Sequence, residues 1–257
     1  MALDHALMRR AARTGHTVLR VYSWSTPTIS LGRHQRAAEV ITPALGLNAP
    51  LGLDVAHAAP LGPDVVHAAP LGLDVVRRPT GGRAVVHARE VTYSITAPIH
   101  PGSVTRTDYL QFNRLLLDAL RRLGTDAELA PSPVSRAPRP HNSPCFNTAT
   151  EGEIVIQGRK LAGSAQWRDD GAILQHGSIL IDDDQPLLAN GAHVPPATLR
   201  TALGRPPEHD EVAKALFAAV RALADPAATC LAPDDDLTDD ALRLRDHYAD
   251  PRWTWRR

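Results

Sequence analysis

Two residues of this 257-residue chain carry reactive chemistry at a usable spacing: Cys145 and Lys160, in "SPCFNTATEGEIVIQGRKLAGSAQ". A thiol of ordinary pKa, about 8.5, is only a few per cent ionised at neutral pH, and an adjacent positive charge raises that fraction. A lysine held near a cysteine supplies such a charge. The residue types alone leave two readings open. Cys145 is either a buried small hydrophobe beside a solvated turn lysine, or a nucleophile with Lys160 as its charge partner. Cys230, in "AATCLAP", has no glycine-rich or basic neighbour and reads as a buried structural thiol.

A second group of residues surrounds a double glycine, "RRPTGGRAVVH" from Arg77 to His87. Gly81 and Gly82 let backbone N–H groups approach a ligand closely. Arg77, Arg78 and Arg83 add positive charge suited to a phosphate or carboxylate. The spacing is that of neither a P-loop nor a dinucleotide fingerprint, and a tight hairpin with solvated arginines remains the alternative. A third feature is the strip Gly163, Ser164 and Ala165 after Lys160, where small side chains in a strand leave room for a ligand.

The elements that must position these residues are partly legible. Residues 3–13 have helical spacing of Leu3, Ala6, Leu7 and Ala11, and "TVLRVYSWSTPTISLG" predicts two strands broken at a proline. Residues 107–124 predict a helix capped by Thr107 or Asp108 and stopped by Gly124, with Leu116, Leu120 and Leu123 on its apolar face. From Glu153 the period becomes that of strands, with hairpin signals at Gln157-Gly158 and Asp169-Asp170-Gly171. The tail returns to helix, first with Val212, Ala215, Leu216, Ala219, Val220 and Leu223 on one face, then over about 238–248. Paired strands with segregated helices predict an α+β fold.

Three decapeptides, "LGLDVAHAAP", "LGPDVVHAAP" and "LGLDVVRRPT", run from Leu51 to Thr80. This period is too short for a solenoid and reads as a local tandem duplication, with the extra copies in a surface loop. The series Asp54, His57, Asp64, His67 and Asp74 has ligand-type side chains but no metal-site spacing, so no metal is assigned. The proline-rich "APSPVSRAPRPHNSP" ahead of Cys145 predicts a long irregular loop.

Bulk properties narrow the class. A hydrophobic fraction of 43%, a charged fraction of 22% and 28 residues of each sign describe an ordinary globular chain and give no support to nucleic-acid binding. "MALDHALMRRAARTG" lacks the apolar centre of a signal peptide, no apolar run approaches a membrane span, and two cysteines suit a reducing compartment. The expected location is the cytoplasm, with no membrane partner.

Taken together, "MALDHALM", "TVLRVYSWSTPTISLGRHQ", "RRPTGGRAVVHAREVTYSI", "GRKLAGSAQ" and "LQHGSILI" resemble, in order, the lipoate–protein ligase / octanoyltransferase family, which shares a catalytic fold with biotin–protein ligases. The resemblance implies one catalytic domain over 1–257, with mixed, mostly antiparallel sheets flanked by helices. A repeat insertion falls at about 46–70 and a helical C-terminal portion at about 196–257. ATP-dependent ligases of the family, which form lipoyl-AMP with ATP and Mg2+, have a third glycine where this chain has Arg83. "PCFNTATEGEIVIQGRKLAGSAQ" instead resembles the branch that uses a cysteine to carry octanoyl groups from acyl carrier protein, without a cofactor. That branch implies Cys145 and Lys160 as catalytic residues. It implies substrate contacts at Arg77, Gly81, Gly82, Arg83, Ala84, Val85, His87, Gly163, Ser164, Ala165 and His176. The acceptor is a lysine of a lipoyl-domain protein, such as the glycine cleavage H protein or the E2 subunit of a 2-oxoacid dehydrogenase. A ligase, or a non-catalytic acyl-carrier or lipoyl-domain binder, are the alternatives.

Overall fold

A computed structural model describes residues 1–44, 66–68, 73–132, 145–188, 194–232 and 234–256. Most of the duplicated region, including Asp54, His57 and Asp64, and most of the proline-rich segment lie outside the described residues.

The first layer is a six-stranded antiparallel sheet in the order β1-β6-β10-β9-β8-β7. Its strands are β1 (Val18–Tyr22), β6 (Glu90–Pro98), β7 (Glu128–Leu129), β8 (Ile154–Ile156), β9 (Arg159–Asp169) and β10 (Ala172–Leu180). Two-residue turns set its register. Gln157-Gly158 joins β8 to β9 and Asp170-Gly171 joins β9 to β10, and all four residues have positive φ. That geometry matches the right-handed twist of the flanking strands, which is why Gly sits second in each turn.

A second, four-stranded sheet has the order β3-β4-β2-β5. It comprises β2 (Thr28–Leu31), β3 (Val66–Ala68), β4 (Leu73–Arg77) and β5 (Val85–His87). The hairpin offered as the alternative for the double glycine is not what forms. β2 lies between β4 and β5, parallel to the first and antiparallel to the second, so residues 78–84 cross over a strand instead of joining neighbours. Part of the second decapeptide is also strand, not loop: Val66–Ala68 pairs with Leu73–Val75 at the sheet edge.

Alternation along the strands of the larger sheet separates two faces. Val91, Tyr93, Ile95 and Ile179 pack with Leu116 and Leu120 of α3 (Thr105–Arg122) and Val212 and Leu216 of α5 (His209–Leu223) in the main core. The opposite face receives α1 (Ala2–Thr14), whose Met8 and Ala11 bury Ala172 and Leu174. α1 in turn packs on α6 (Asp235–Ala249) through Ala2, Ala6, Leu7, Leu237, Leu244 and Tyr248. Two helix expectations need correction. α3 starts at Thr105 after Val104, so Thr107 and Asp108 lie inside its first turns and cap nothing. Leu223, in the last turn of α5, is 59% exposed, so the apolar face ends a turn earlier than expected. The last helix runs further than expected and is followed by α7 (Pro251–Thr254), with α2 (Ala37–Ala44) and α4 (Leu199–Leu203) completing the set. Among the described residues no helix is long and apolar enough to cross a membrane.

Candidate active site

Cys145 lies in the turn that precedes β8, and its neighbour Phe146 fixes it there. Phe146 is buried with Val85 and Leu180, pinning the turn between the two sheets. Gly163 of β9 passes directly beneath: a Cβ on it would lie 3.4 Å from Cys145 Sγ and 3.1 Å from Lys160 Cε. The small strip is thus the floor that lets the sulfur and the lysine share one space.

Lys160 is 4% exposed, against the solvated alternative. The β8–β9 hairpin folds its Nζ to 3.6 Å from Cys145 Sγ, 3.0 Å from the Cys145 carbonyl oxygen, to which it donates, and 2.7 Å from Glu153 Oε1. Burial alone disfavours the ammonium, but the Cys145 and Glu153 charges and hydrogen bonds outweigh it and raise the Lys160 pKa, keeping it cationic at neutral pH. Glu153 was not anticipated from the sequence. Its other oxygen accepts from the Thr150 N–H at 2.7 Å, so the carboxylate is held at both ends. Asn113 of α3 donates to the Gly152 carbonyl at 2.8 Å and ties this loop to the core.

A narrow cleft, part of it open to solvent, lies at Cys145 between the two sheets. Gly82, Val85, His87, Gly163, Ser164, Ala165 and His176 line it, together with Arg78, Tyr22 and Trp24. Seven of the expected substrate-contact residues therefore converge with Cys145. Gly81, Arg83 and Ala84 flank that lining, Ala84 being buried in the core of the second sheet. Arg77 departs from expectation. Its side chain is buried, at 1% exposure, and donates to the carbonyls of Gly32, Arg33, Gln35, Trp253 and Thr254, so it fastens α7 to the second sheet and does not line the cleft. Arg78, its neighbour, donates to Ser30, Gly81 and Arg83 and thereby sets the shape of the double-glycine turn.

Two close backbone approaches explain why glycines recur here. A Cβ at Gly32 would fall 1.9 Å from the Gly82 carbonyl oxygen, and one at Gly177 2.1 Å from that of Gly163. Beneath the strip, Ser164 Oγ, Tyr93 Oη, Gln175 and Asn113 form a closed hydrogen-bond network, with Tyr93 and Ser164 oxygens 2.6 Å apart. His176 pairs with Thr80 Oγ1 at 2.6 Å, and burial lowers its pKa in spite of the nearby Asp4. Asp4 itself is fully buried. Burial pushes its pKa up, but hydrogen bonding with His176, the chain's first amino group and Arg20 more than reverse this, holding the carboxyl far below the usual range. Cys230, expected to be buried, is exposed.

The site is a half-buried thiol beside a buried ammonium, at a narrow cleft between two sheets flanked by helices, and the comparisons give the class of protein that carries it. The model of the lipoyl protein ligase A/B catalytic domain matches residues 1–221, and the chain belongs to that family. Among curated relatives, octanoyltransferase LipM of Kyrpidia tusciae is 39% identical over 215 residues, covering 80% of this chain and 69% of that protein. The octanoyltransferase LipM of Symbiobacterium thermophilum is 37% identical over 227 residues, covering 80% and 74%. Among solved structures, a lipoate-protein ligase A bound with ATP superimposes with a TM-score of 0.72 at 21% identity, over 99% of this chain and 92% of that one. The fold expected from the resemblance is therefore the fold found.

Proposed function

We propose that this protein is an octanoyltransferase of protein lipoylation, moving an octanoyl group from an acyl carrier protein to a lysine of a lipoyl domain through a thioester on Cys145. The observation that carries this reading is the 3.6 Å separation of Cys145 Sγ and Lys160 Nζ at the cleft. The family's curated relatives named octanoyltransferase support it.

In the first half-reaction the Cys145 thiolate attacks the carrier's thioester carbon. The tetrahedral intermediate collapses with the carrier thiolate as leaving group, and that sulfur takes the proton Cys145 gave up. Thioester replaces thioester, so the step is nearly neutral in free energy and needs no ATP or Mg2+. Lys160, held cationic by its partners, compensates the sulfur's charge and is not itself an acyl acceptor, since a protonated amine has no lone pair to attack with. The Gly81–Gly82 turn is assigned the oxyanion, and Arg78 holds that turn in shape. In the second half-reaction the neutral amine of the acceptor lysine attacks the acyl-Cys145 carbon. An amide forms, the Cys145 thiolate leaves, and the excess proton on nitrogen passes to solvent.

The test is intact-mass measurement after incubation with octanoyl-carrier protein, with and without ATP. The wild type is expected to gain one octanoyl group, labile to hydroxylamine and independent of ATP, and Cys145→Ala to gain none. Normal acyl transfer by Cys145→Ala would sink the covalent route.

A further inference from the structure

Glu90, the first residue of β6, is 4% exposed, and its two carboxylate oxygens are treated unequally. Oε1 accepts from Thr92 Oγ1 and lies 3.0 Å from His87 Nδ1. Oε2 is buried and has no hydrogen-bond partner among the described residues. A carboxylate with one bare oxygen in the interior is costly, so the fold alone gives no reason for it. The groups that end on it supply one.

From Glu90 a chain of hydrogen bonds crosses to the second sheet. His87, at the end of β5, meets Ser30 Oγ of β2 at 2.7 Å through Nε2, and Arg78 Nη1 donates to the same Ser30 Oγ at 2.6 Å. A guanidinium has protons and no acceptor, so Ser30 accepts from Arg78 and gives its own proton to His87 Nε2. Nδ1 then carries the imidazole proton and donates it to Glu90, with Ser178 Oγ 3.3 Å from the same nitrogen. In this assignment every donor of the chain has an acceptor. Thr92 is arranged in the same sense, accepting from Trp24 Nε1 at 2.8 Å and donating to Glu90. Two donor chains end on this one carboxylate. Ser30, His87 and Glu90 have the order of a hydrolase triad, but Ser30 is fully buried and already takes a proton from Arg78, so it is no nucleophile.

The other end of the chain is the double-glycine turn. Arg78 Nη2 donates to the carbonyls of Gly81 at 3.2 Å and Arg83 at 2.8 Å, and Nη1 also to the Ser30 carbonyl at 2.9 Å. These oxygens are all uncharged, so the chain through Ser30 and His87 leads Arg78 to its carboxylate. The Gly81 carbonyl and the Gly82 N–H belong to one trans peptide and point opposite ways. By holding the carbonyl, Arg78 sets the direction of that N–H, and Gly82 lines the cleft with Cys145. The place of the turn is held separately. Thr80 pairs with His176, itself hydrogen bonded to Asp4, and the Thr80 carbonyl accepts from the Arg33 N–H at 2.8 Å. Loss of the Glu90 chain therefore leaves the turn in place and frees its direction.

We propose that Glu90 is a positioning residue for acyl transfer: through His87 and Ser30 it holds Arg78, and Arg78 aims the Gly81–Gly82 peptide at the oxyanion. The inference rests on the acyltransferase reading, in which that turn takes the oxyanion, and adds the residue that fixes its direction.

The test uses the full chain and compares two reactions of Cys145, both followed by intact mass. Acylation by octanoyl-carrier protein develops an oxyanion. Alkylation by iodoacetamide does not: the sulfur bonds to a saturated carbon, iodide leaves, and the thiol proton goes to solvent. Glu90→Gln keeps the size and an acceptor oxygen but removes the charge, and Ser30→Ala cuts the chain between His87 and Arg78. Each variant is expected to acylate at least about tenfold more slowly at saturating carrier, with the KM for the carrier unchanged. Alkylation, which reports the thiolate and its access, should stay within about twofold of wild type. The double variant should be no slower than the slower single one, because the two residues act in series. Unchanged acylation, an equal loss in both reactions, or multiplicative losses in the double variant would overturn the proposal.

Nitrogen NMR of the histidine rings and glycine amides separates this idea from the transferase reading. The proton of His87 is expected on Nδ1 in the wild type, and the Gly82 amide signal should move in both variants. A wild type that forms no octanoyl adduct refutes the transferase reading, and these spectra then decide whether Glu90 sets the turn. A proton on Nε2, or a Gly82 signal that stays in place, overturns it. Where Glu90→Gln does not fold, Ser30→Ala carries the comparison, and the wild-type tautomer is read in either case.

Discussion

At the scale of single residues, the site is a three-charge problem: a half-buried sulfur beside a buried ammonium and a buried carboxylate. Glu153 compensates Lys160 whether or not Cys145 is ionised, so the ammonium is tolerated in the resting state and is available to the thiolate during turnover. Lys160→Met removes the cation and leaves Glu153 buried and unpaired, which is expected to cost about 3–5 kcal/mol of stability. Lys160→Met combined with Glu153→Gln is expected to recover most of that stability in urea titrations. Its rate of Cys145 acylation should stay at least about tenfold low, equivalent to ~1.4 kcal/mol of barrier. Recovery of both stability and rate would mean that Lys160 serves only the fold.

At the scale of elements, the turns and close approaches decide geometry. Gly177 of β10 crosses Gly163 of β9 so tightly that a methyl group would meet the Gly163 carbonyl oxygen at 2.1 Å and the Tyr93 ring at 2.9 Å. Gly177→Ala is expected to separate β9 from β10 at the floor of the site and to destabilise by about 3 kcal/mol or more, at the upper end of overpacking costs. Gly15, which ends α1 at φ 74° and N–H bonded to Ala11, has nothing within 4 Å of a Cβ position. Gly15→Ala should therefore cost only the left-handed backbone strain, about 1 kcal/mol. Equal urea midpoints for the two variants would contradict this difference between crowding and strain.

At the scale of the whole molecule, α1 joins the sheet, the site and α6, and its charged groups make the assembly sensitive to acid. His5, edge-on to Trp167 and hydrogen bonded to Tyr248 at 3.1 Å, is pushed down to about 4, first by burial and then by Arg9 and His247. Burial lowers His176 in the same sense. For a histidine with a depressed pKa the unfolded chain binds the extra proton, so stability is full above pH 6.5 and falls as pH drops toward the folded value. Asp4, depressed by its partners, adds a further loss below its ordinary pKa of 3.8. Chemical denaturation is expected to show a loss of about 1–2 kcal/mol between pH 7 and pH 4.5 from His5, after allowing for its partial exposure. His5→Gln should flatten that slope. A wild-type stability that is flat or rises over this interval would contradict the assignment.

The sequence by itself determined whatever is carried by neighbours along the chain. The Gln157-Gly158 and Asp170-Gly171 pairs dictate two tight turns, and the alternation between them dictates which side chains share a face. The period-3.6 apolar faces place α1, α3 and α5, and the order of motifs leads to the family. It did not determine which charged groups meet. Arg77 and Lys160 read equally as solvated cations, yet Arg77 is spent on five carbonyls from distant segments and Lys160 is locked to Glu153 and Cys145. Nor did any local pattern mark β2 for insertion between β4 and β5, which turned an apparent hairpin into a crossover. The cleft is the clearest instance. Its lining brings residues 163, 178, 92 and 22 of four strands together on one register line, beside His87 of the other sheet. Register between strands far apart in sequence is fixed by the packing of whole faces, and so only the tertiary structure brought these residues together around Cys145.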